Sequence, residues 1–92
     1  SYVDKRRFPV IKIIDTLSNN TSLFETVIVS ANDTLVNKFL KNEIKFNDIS
    51  KFLFKIINLN EFRKLKNITP KNVDEVVKLA NYVSLKMKNI SV

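Results

Sequence analysis

Cysteine, histidine, glycine and tryptophan are all absent from the 92 residues, and proline occurs twice. Without Cys or His there are no disulfides, thiolate or imidazole metal ligands, thiol nucleophiles, Ser-His triads or imidazole acid-base groups. Without Gly no phosphate-cradling glycine loop exists, and no turn has a residue that takes positive φ at no steric cost. Both absences favour helices over hairpins. No apolar run approaches the roughly 20 residues of a membrane span, and no signal-type segment is present. The first residue is Ser1 rather than Met, which suggests a processed product or a domain cut from a longer chain.

The residues that are present describe a folding chain. Hydrophobic residues make up 45% and charged ones 27%, close to an ordinary globular domain and far from disorder. A chain this short has one core, burying roughly 60–65% of the surface exposed when unfolded. Sixteen Lys and Arg against nine Asp and Glu give a net charge of +7, which raises nucleic acid or an anionic membrane as partners. Only Lys5-Arg6-Arg7 and the group Arg63, Lys64, Lys66 and Lys71 are clustered. Twelve Asn and thirteen Lys point to an AT-rich genome and to codon bias as the source of the charge, so neither a nucleic-acid nor a membrane partner is expected. The sequons Asn32-Asp33-Thr34 and Asn67-Ile68-Thr69 are of chance frequency in so Asn-rich a chain.

Periodicity predicts four helices. Residues 1–8 read as a linker or arm. Pro9 suits a first helical position, and Val10, Ile13, Ile14 and Leu17 follow at helical spacing, giving a helix over about 9–18. A second helix, about 24–40, carries Phe24, Val27, Ile28, Ala31, Leu35 and Phe39 on one side. Its β-branched Val27-Ile28-Val29 also suits a strand, but a lone strand without turn residues or a partner is disfavoured. Asn42 is the expected stop, with Lys38 and Lys41 complementing the helix dipole.

Ile44-Lys45-Phe46 is predicted to be an extended link with both apolar residues facing inward. Asn47 is predicted to cap a third helix, about 48–57, with the stripe Ile49, Phe52, Leu53, Ile56 and Ile57. Residues 58–72 read as an irregular connection with one helical turn around Phe62. Asn72-Val73-Asp74-Glu75 resembles a capping box opening the last helix, about 73–89, whose inner face is Val73, Val76, Val77, Ala80, Val83 and Met87. The predicted fold is all-α, a small four-helix bundle-like domain, antiparallel where links are short.

Little of this suggests chemistry. Asp4, Asp15, Asp33, Asp48, Glu43, Asp74 and Glu75 are the carboxylate candidates, and helix N-termini or solvated faces account for them. In Ser30-Ala31-Asn32-Asp33, the small Ala31 admits a close backbone and Asn32 is placed to bind a neighbouring segment; a structural hydrogen bond is favoured over a ligand contact. Phe39, Phe46, Phe52, Phe54 and Phe62 interleave with Lys in a way that superficially suits base stacking. Most fall on core stripes; Phe54 does not, and Phe62 is ambiguous. An exposed Phe54 would mark a contact with another domain or a protein partner.

Three blocks in order carry a resemblance. Asp4-Lys5-Arg6-Arg7-Phe8-Pro9 with Lys12, then Ala31-Asn32-Asp33, Val36 and Phe39-Leu40, then Ile44, Phe46 and Asp48-Ile49 resemble the C-terminal part of the 1-deoxy-D-xylulose 5-phosphate reductoisomerase family. Its corresponding patterns are D-x-x-R-(F/Y)-P-x-x-K, A-N-E-x-x-V-x-x-F-L and I-x-F-x-D-I. From Ala31 to Ile49 no gap is needed, and Val73-Asp74-Glu75-Val76 resembles the start of the family's last helix. The family's Gly pair is replaced around Ser18 to Ser22, Asp33 stands for its Glu, and residues 58–72 match poorly.

The resemblance implies residues 1–92 as a single C-terminal helical domain of an oxidoreductase that isomerises and reduces 1-deoxy-D-xylulose 5-phosphate to 2-C-methyl-D-erythritol 4-phosphate in non-mevalonate isoprenoid biosynthesis. For that parent it implies NADPH, a divalent metal (Mg or Mn) and a homodimer, with the enzyme's other domains as partners of this one. The family's cofactor, metal and substrate residues lie in preceding domains, so no catalytic, cofactor-binding or metal-binding residue is assigned in this chain. The expected role is to brace the catalytic domain. The implied location is the plastid stroma (apicoplast) in a malaria-type parasite and the cytoplasm in a bacterium. The alternatives are a free-standing basic helical module binding nucleic acid and a protein-interaction bundle.

Overall fold

A computed structural model describes residues 22–90, so the arm expected over 1–8 and the helix expected over 9–18 lie outside the described residues. Those described fold as α1 (Leu23–Leu40), α2 (Phe46–Ile57), α3 (Asn60–Arg63) and α4 (Val73–Lys88), with no strand among them. The β-branched run at 27–29 is helical, as its helical-period neighbours require.

The helix α1 is central, packing against each of the others. Its buried side is Leu23, Thr26, Val27, Ser30, Ala31, Thr34 and Leu35. The sequence pattern placed Phe24, Ile28 and Phe39 on that side; they are only half-buried. Three hydroxyl residues, Thr26, Ser30 and Thr34, take the interior instead. The Ser30 hydroxyl donates to the Ala80 carbonyl at 2.7 Å, and the Thr34 hydroxyl donates to the Ser30 carbonyl at 3.0 Å. Thr34 and Ser84 share a further hydroxyl contact at 3.1 Å. Small Ala31 and Ala80, both fully buried, let the two backbones come this close. Ser30 with Ala80, Thr34 with Ser84 and Lys38 with Lys88 advance together along the chain, so α1 and α4 run parallel.

Parallel packing puts both C-terminal helix ends side by side, where their partial negative charges repel. Lys38 answers this: its ammonium donates to the Lys88 carbonyl at 3.4 Å and pairs with Glu43 at 3.6 Å. The end of α1 closes without glycine. Asn42 takes φ 62°, the Asn42 N–H donates to the Phe39 carbonyl, and the Glu43 N–H donates to the Lys38 carbonyl. Asn tolerates this left-handed geometry better than other non-glycine residues, so Asn42 is the stop the sequence indicated.

The start of α2 differs from expectation. Lys45, not Asn47, is the N-cap residue, with the Asp48 carboxylate accepting the Lys45 N–H at 2.9 Å. Phe46 therefore opens the helix and points outward, while Ile44 packs against the core. Phe52 and Ile56 from α2 are buried beside Val27, Leu35, Val83 and Met87.

Within residues 58–72, the helical turn expected around Phe62 is α3, Asn60–Arg63. The short α3 buries Phe62 at 1% exposure, which settles its place as core rather than surface. Four residues make no stable helix alone; Phe62, with the partly buried Leu59 and Leu65, anchors this one. The chain then returns to the start of α1, where the Leu23 N–H donates to the Ile68 carbonyl at 2.7 Å. Asn72 caps α4 by accepting the Glu75 N–H at 2.9 Å. The reciprocal bond differs from the predicted box: Glu75 accepts from the Lys71 N–H at 2.8 Å, one residue earlier than Asn72. Val73, expected inside, is half exposed.

One buried hydroxyl, that of Thr26, has no hydrogen-bond partner. Thr26→Val keeps the shape and removes an unsatisfied group, so it is expected to raise stability by about 1 kcal/mol. Ser30→Val is expected to lower stability by about 1–3 kcal/mol through a lost bond and a crowded seam. Urea unfolding followed by circular dichroism measures both; equal effects of the two substitutions would contradict the distinction drawn between these hydroxyls.

Candidate functional site

In the tetrad, Ser30 and Ala31 belong to the seam with α4, Asn32 is exposed, and Asp33 is half-buried. The close backbone that Ala31 was expected to admit is that of α4. The hydrogen bond is made by Ser30, one position before the residue pair the sequence emphasised. The other carboxylates do not converge. Asp48 and Glu75 accept backbone N–H groups at helix starts, Asp74 pairs with Lys78 at 3.0 Å, and Glu43 pairs with Lys38. Asp4 and Asp15 lie outside the described residues. Among the described residues no three carboxylates are grouped so as to hold a metal ion. No chemical step is assigned to a metal or a nicotinamide cofactor at these residues.

Titratable groups do converge at one place the sequence reading missed. Glu61, in α3, accepts the Tyr82 hydroxyl at 2.7 Å and pairs with the Lys86 ammonium at 3.1 Å. The Lys86 ammonium also lies 5.8 Å from the Tyr82 ring centroid, and the Tyr82 ring meets Phe62 edge-on at 6.1 Å. Tyr82 and Lys86 are four residues apart on one face of α4, and Glu61 is an isolated acid in a basic stretch; that pairing was the available signal. The hydrogen bonds from Tyr82 and Lys86 hold the Glu61 carboxyl below its ordinary range. The bond to Glu61 raises Tyr82, and the same carboxylate raises Lys86. The trio is solvent-accessible and its members satisfy one another, so it acts as a clasp fastening α3 to α4.

Exposed apolar side chains gather at the α1–α2 junction. Leu40 and Phe46 are each 69% exposed, and the Phe39 ring meets Phe46 edge-on at 5.7 Å. An open cleft runs between Phe39, Asn42, Ile44, Phe46 and Asp48. Phe46 was expected inside and is not. Phe54 is 70% exposed, as its position off the stripe indicated. Among the described residues, no helix is long and apolar enough to cross a membrane.

Helices fastened to one another by hydroxyl, ionic and aromatic contacts define an all-α packing module. Residues 1–84 match the family described as the DXP reductoisomerase C-terminal domain, and the chain belongs to that family. It is 60% identical over 90 residues to the 1-deoxy-D-xylulose 5-phosphate reductoisomerase of Pelagibacter ubique (strain HTCC1062), covering 98% of this chain and 23% of the relative. It is 27% identical over 85 residues to the protein of that name from Sulfurihydrogenibium sp. (strain YO3AOP1), covering 90% and 23%, and 41% identical over 56 residues to that of Campylobacter lari, covering 61% and 15%. The chain thus spans about a quarter or less of the length of these bacterial relatives. No solved structure matches it.

The clasp gives a pH prediction with opposite slopes at its two ends. A depressed Glu61 contributes stability present above its unfolded value and lost as pH falls through the folded one. Raised Tyr82 and Lys86 contribute stability present below their unfolded values and lost as pH rises through the folded ones. Glu61→Gln should therefore lower the melting temperature most between about pH 5 and 9, with the difference shrinking below about pH 4 and above about pH 10. Melting curves across pH for both proteins check this; a difference independent of pH contradicts the clasp.

Proposed function

We propose that residues 1–92 form a single C-terminal helical domain of a 1-deoxy-D-xylulose 5-phosphate reductoisomerase, bracing its catalytic domain without contributing catalytic residues. The 60% identity across nearly the whole chain to a protein of that name carries the reading. On it, the parent converts 1-deoxy-D-xylulose 5-phosphate to 2-C-methyl-D-erythritol 4-phosphate as an NADPH- and metal-dependent homodimer in isoprenoid synthesis. The fit of hydroxyls and ion pairs to neighbouring helices supports a bracing role, since the polar groups that could serve chemistry hold the bundle together. The bacterial relatives support the cytoplasm as its location and lend nothing to the plastid.

Deleting this segment from the full enzyme is expected to abolish cooperative folding or reduce turnover by orders of magnitude, measured by thermal unfolding and NADPH oxidation. Unchanged folding and turnover would overturn the bracing role.

A further inference from the structure

We propose that the apolar end made by Leu40 of α1 and Phe46 of α2 is the face by which this bundle docks onto the preceding part of its own enzyme. The inference rests on the proposed function and adds which surface makes the contact. Leu40 and Phe46 are each 69% exposed and Val36, one turn before Leu40, is 36% exposed. Phe39 joins them, adjacent to Leu40 in sequence and edge-on to Phe46. Single exposed apolar residues are ordinary, but several gathered on two successive elements mark a contact surface.

The platform is held in shape before anything covers it. The Asn42 turn closes α1, Ile44 is packed into the core, and Asp48 fixes the Lys45 N–H. A surface ordered in advance loses little entropy on docking. Lys41, Glu43 and Lys45 are exposed at its rim, so the covering surface should be apolar at its centre with charges of both signs around it.

The preceding part of the enzyme is the occupant favoured by length. The match covers 23% of the first-named relative, so most of that protein lies outside it. A covalent tether makes docking intramolecular at effective concentrations of about millimolar, so a modest patch suffices. A free partner would need roughly 800 Å² of its own surface. Phe54 makes no comparable patch: its exposed neighbours Ser50, Lys51, Lys55 and Asn58 are polar. Tyr82 is already engaged by Glu61 and Phe62.

Phe46 and Phe54 provide an internal comparison, being the same residue type at 69% and 70% exposure. Hydroxyl-radical footprinting of the unsubstituted full-length enzyme, read by mass spectrometry, is expected to oxidise Phe46 at least about tenfold more slowly than Phe54, because interface cores exclude water as interiors do. Equal rates would overturn the docking face. In parallel, Phe46→p-benzoylphenylalanine in the full-length enzyme is expected on illumination to crosslink to peptides preceding this segment. Crosslinks solely to this same segment of another subunit would assign the face to a second copy and also overturn the proposal. Either failure, with the deletion phenotype retained, leaves bracing intact and rejects the face alone.

Discussion

The Ser30 hydroxyl reaches the Ala80 carbonyl at 2.7 Å, and the small, fully buried Ala31 and Ala80 let the backbones of α1 and α4 come this close. That close approach is the constraint from which the rest follows. It fixes the register, since Ser30, Thr34 and Lys38 each meet a partner fifty residues on. It also fixes the direction: the helices are parallel, and their dipoles are aligned unfavourably. Lys38 at the paired C-termini and Glu25, Asp74 and Glu75 at the paired N-termini are the electrostatic answer.

Parallel neighbours need a connection long enough to carry the chain back along their whole length. Here α2, α3 and residues 64–72 are that connection, and each is used to cover the core as it returns. Phe52, Ile56 and Phe62 close the side of α1 left open by α4, with Val83 and Met87 reaching the same cluster. The Glu61 clasp then fastens the return path to α4, and the Leu23–Ile68 backbone bond fastens it to the start of α1. The bundle is thus tied mainly by contacts made within itself, which leaves the α1–α2 junction as the exposed apolar ground.

Among the described residues, helices were legible where apolar residues recur at helical spacing. The stripe from Ile49 to Ile57 and the run from Val76 to Met87 marked α2 and α4 to within two residues of their observed limits. The face of α1 was harder to read, because Thr26, Ser30 and Thr34 are buried although polar, Ser30 and Thr34 with hydrogen bonds that hydropathy does not register. Phe46 was misplaced for a related reason, while Phe62 was left ambiguous. Whether an aromatic residue faces in depends on where a helix starts, and Lys45 rather than Asn47 starts α2. The stretch after Asn58 looked irregular because α3 is too short to show a period, and its order comes from Phe62 packing at long range. The Glu61–Tyr82–Lys86 convergence joins elements some twenty residues apart, and the four-residue spacing of Tyr82 and Lys86 beside a lone acid was its one local trace.

Among the described residues, Ser30, Thr34, Lys38, Glu61, Tyr82 and Lys86 each join one helix to another. The central claim is that the α1–α4 seam is the last element to open. Native-state hydrogen exchange of the chain under increasing urea tests it directly. The account expects the amides of Ala31, Leu35, Ala80 and Val83 to share the highest opening free energy, equal to that of global unfolding, with α3 and the start of α2 opening earlier. Exchange of α4 amides at lower free energy than those of α2, independently of α1, would contradict it.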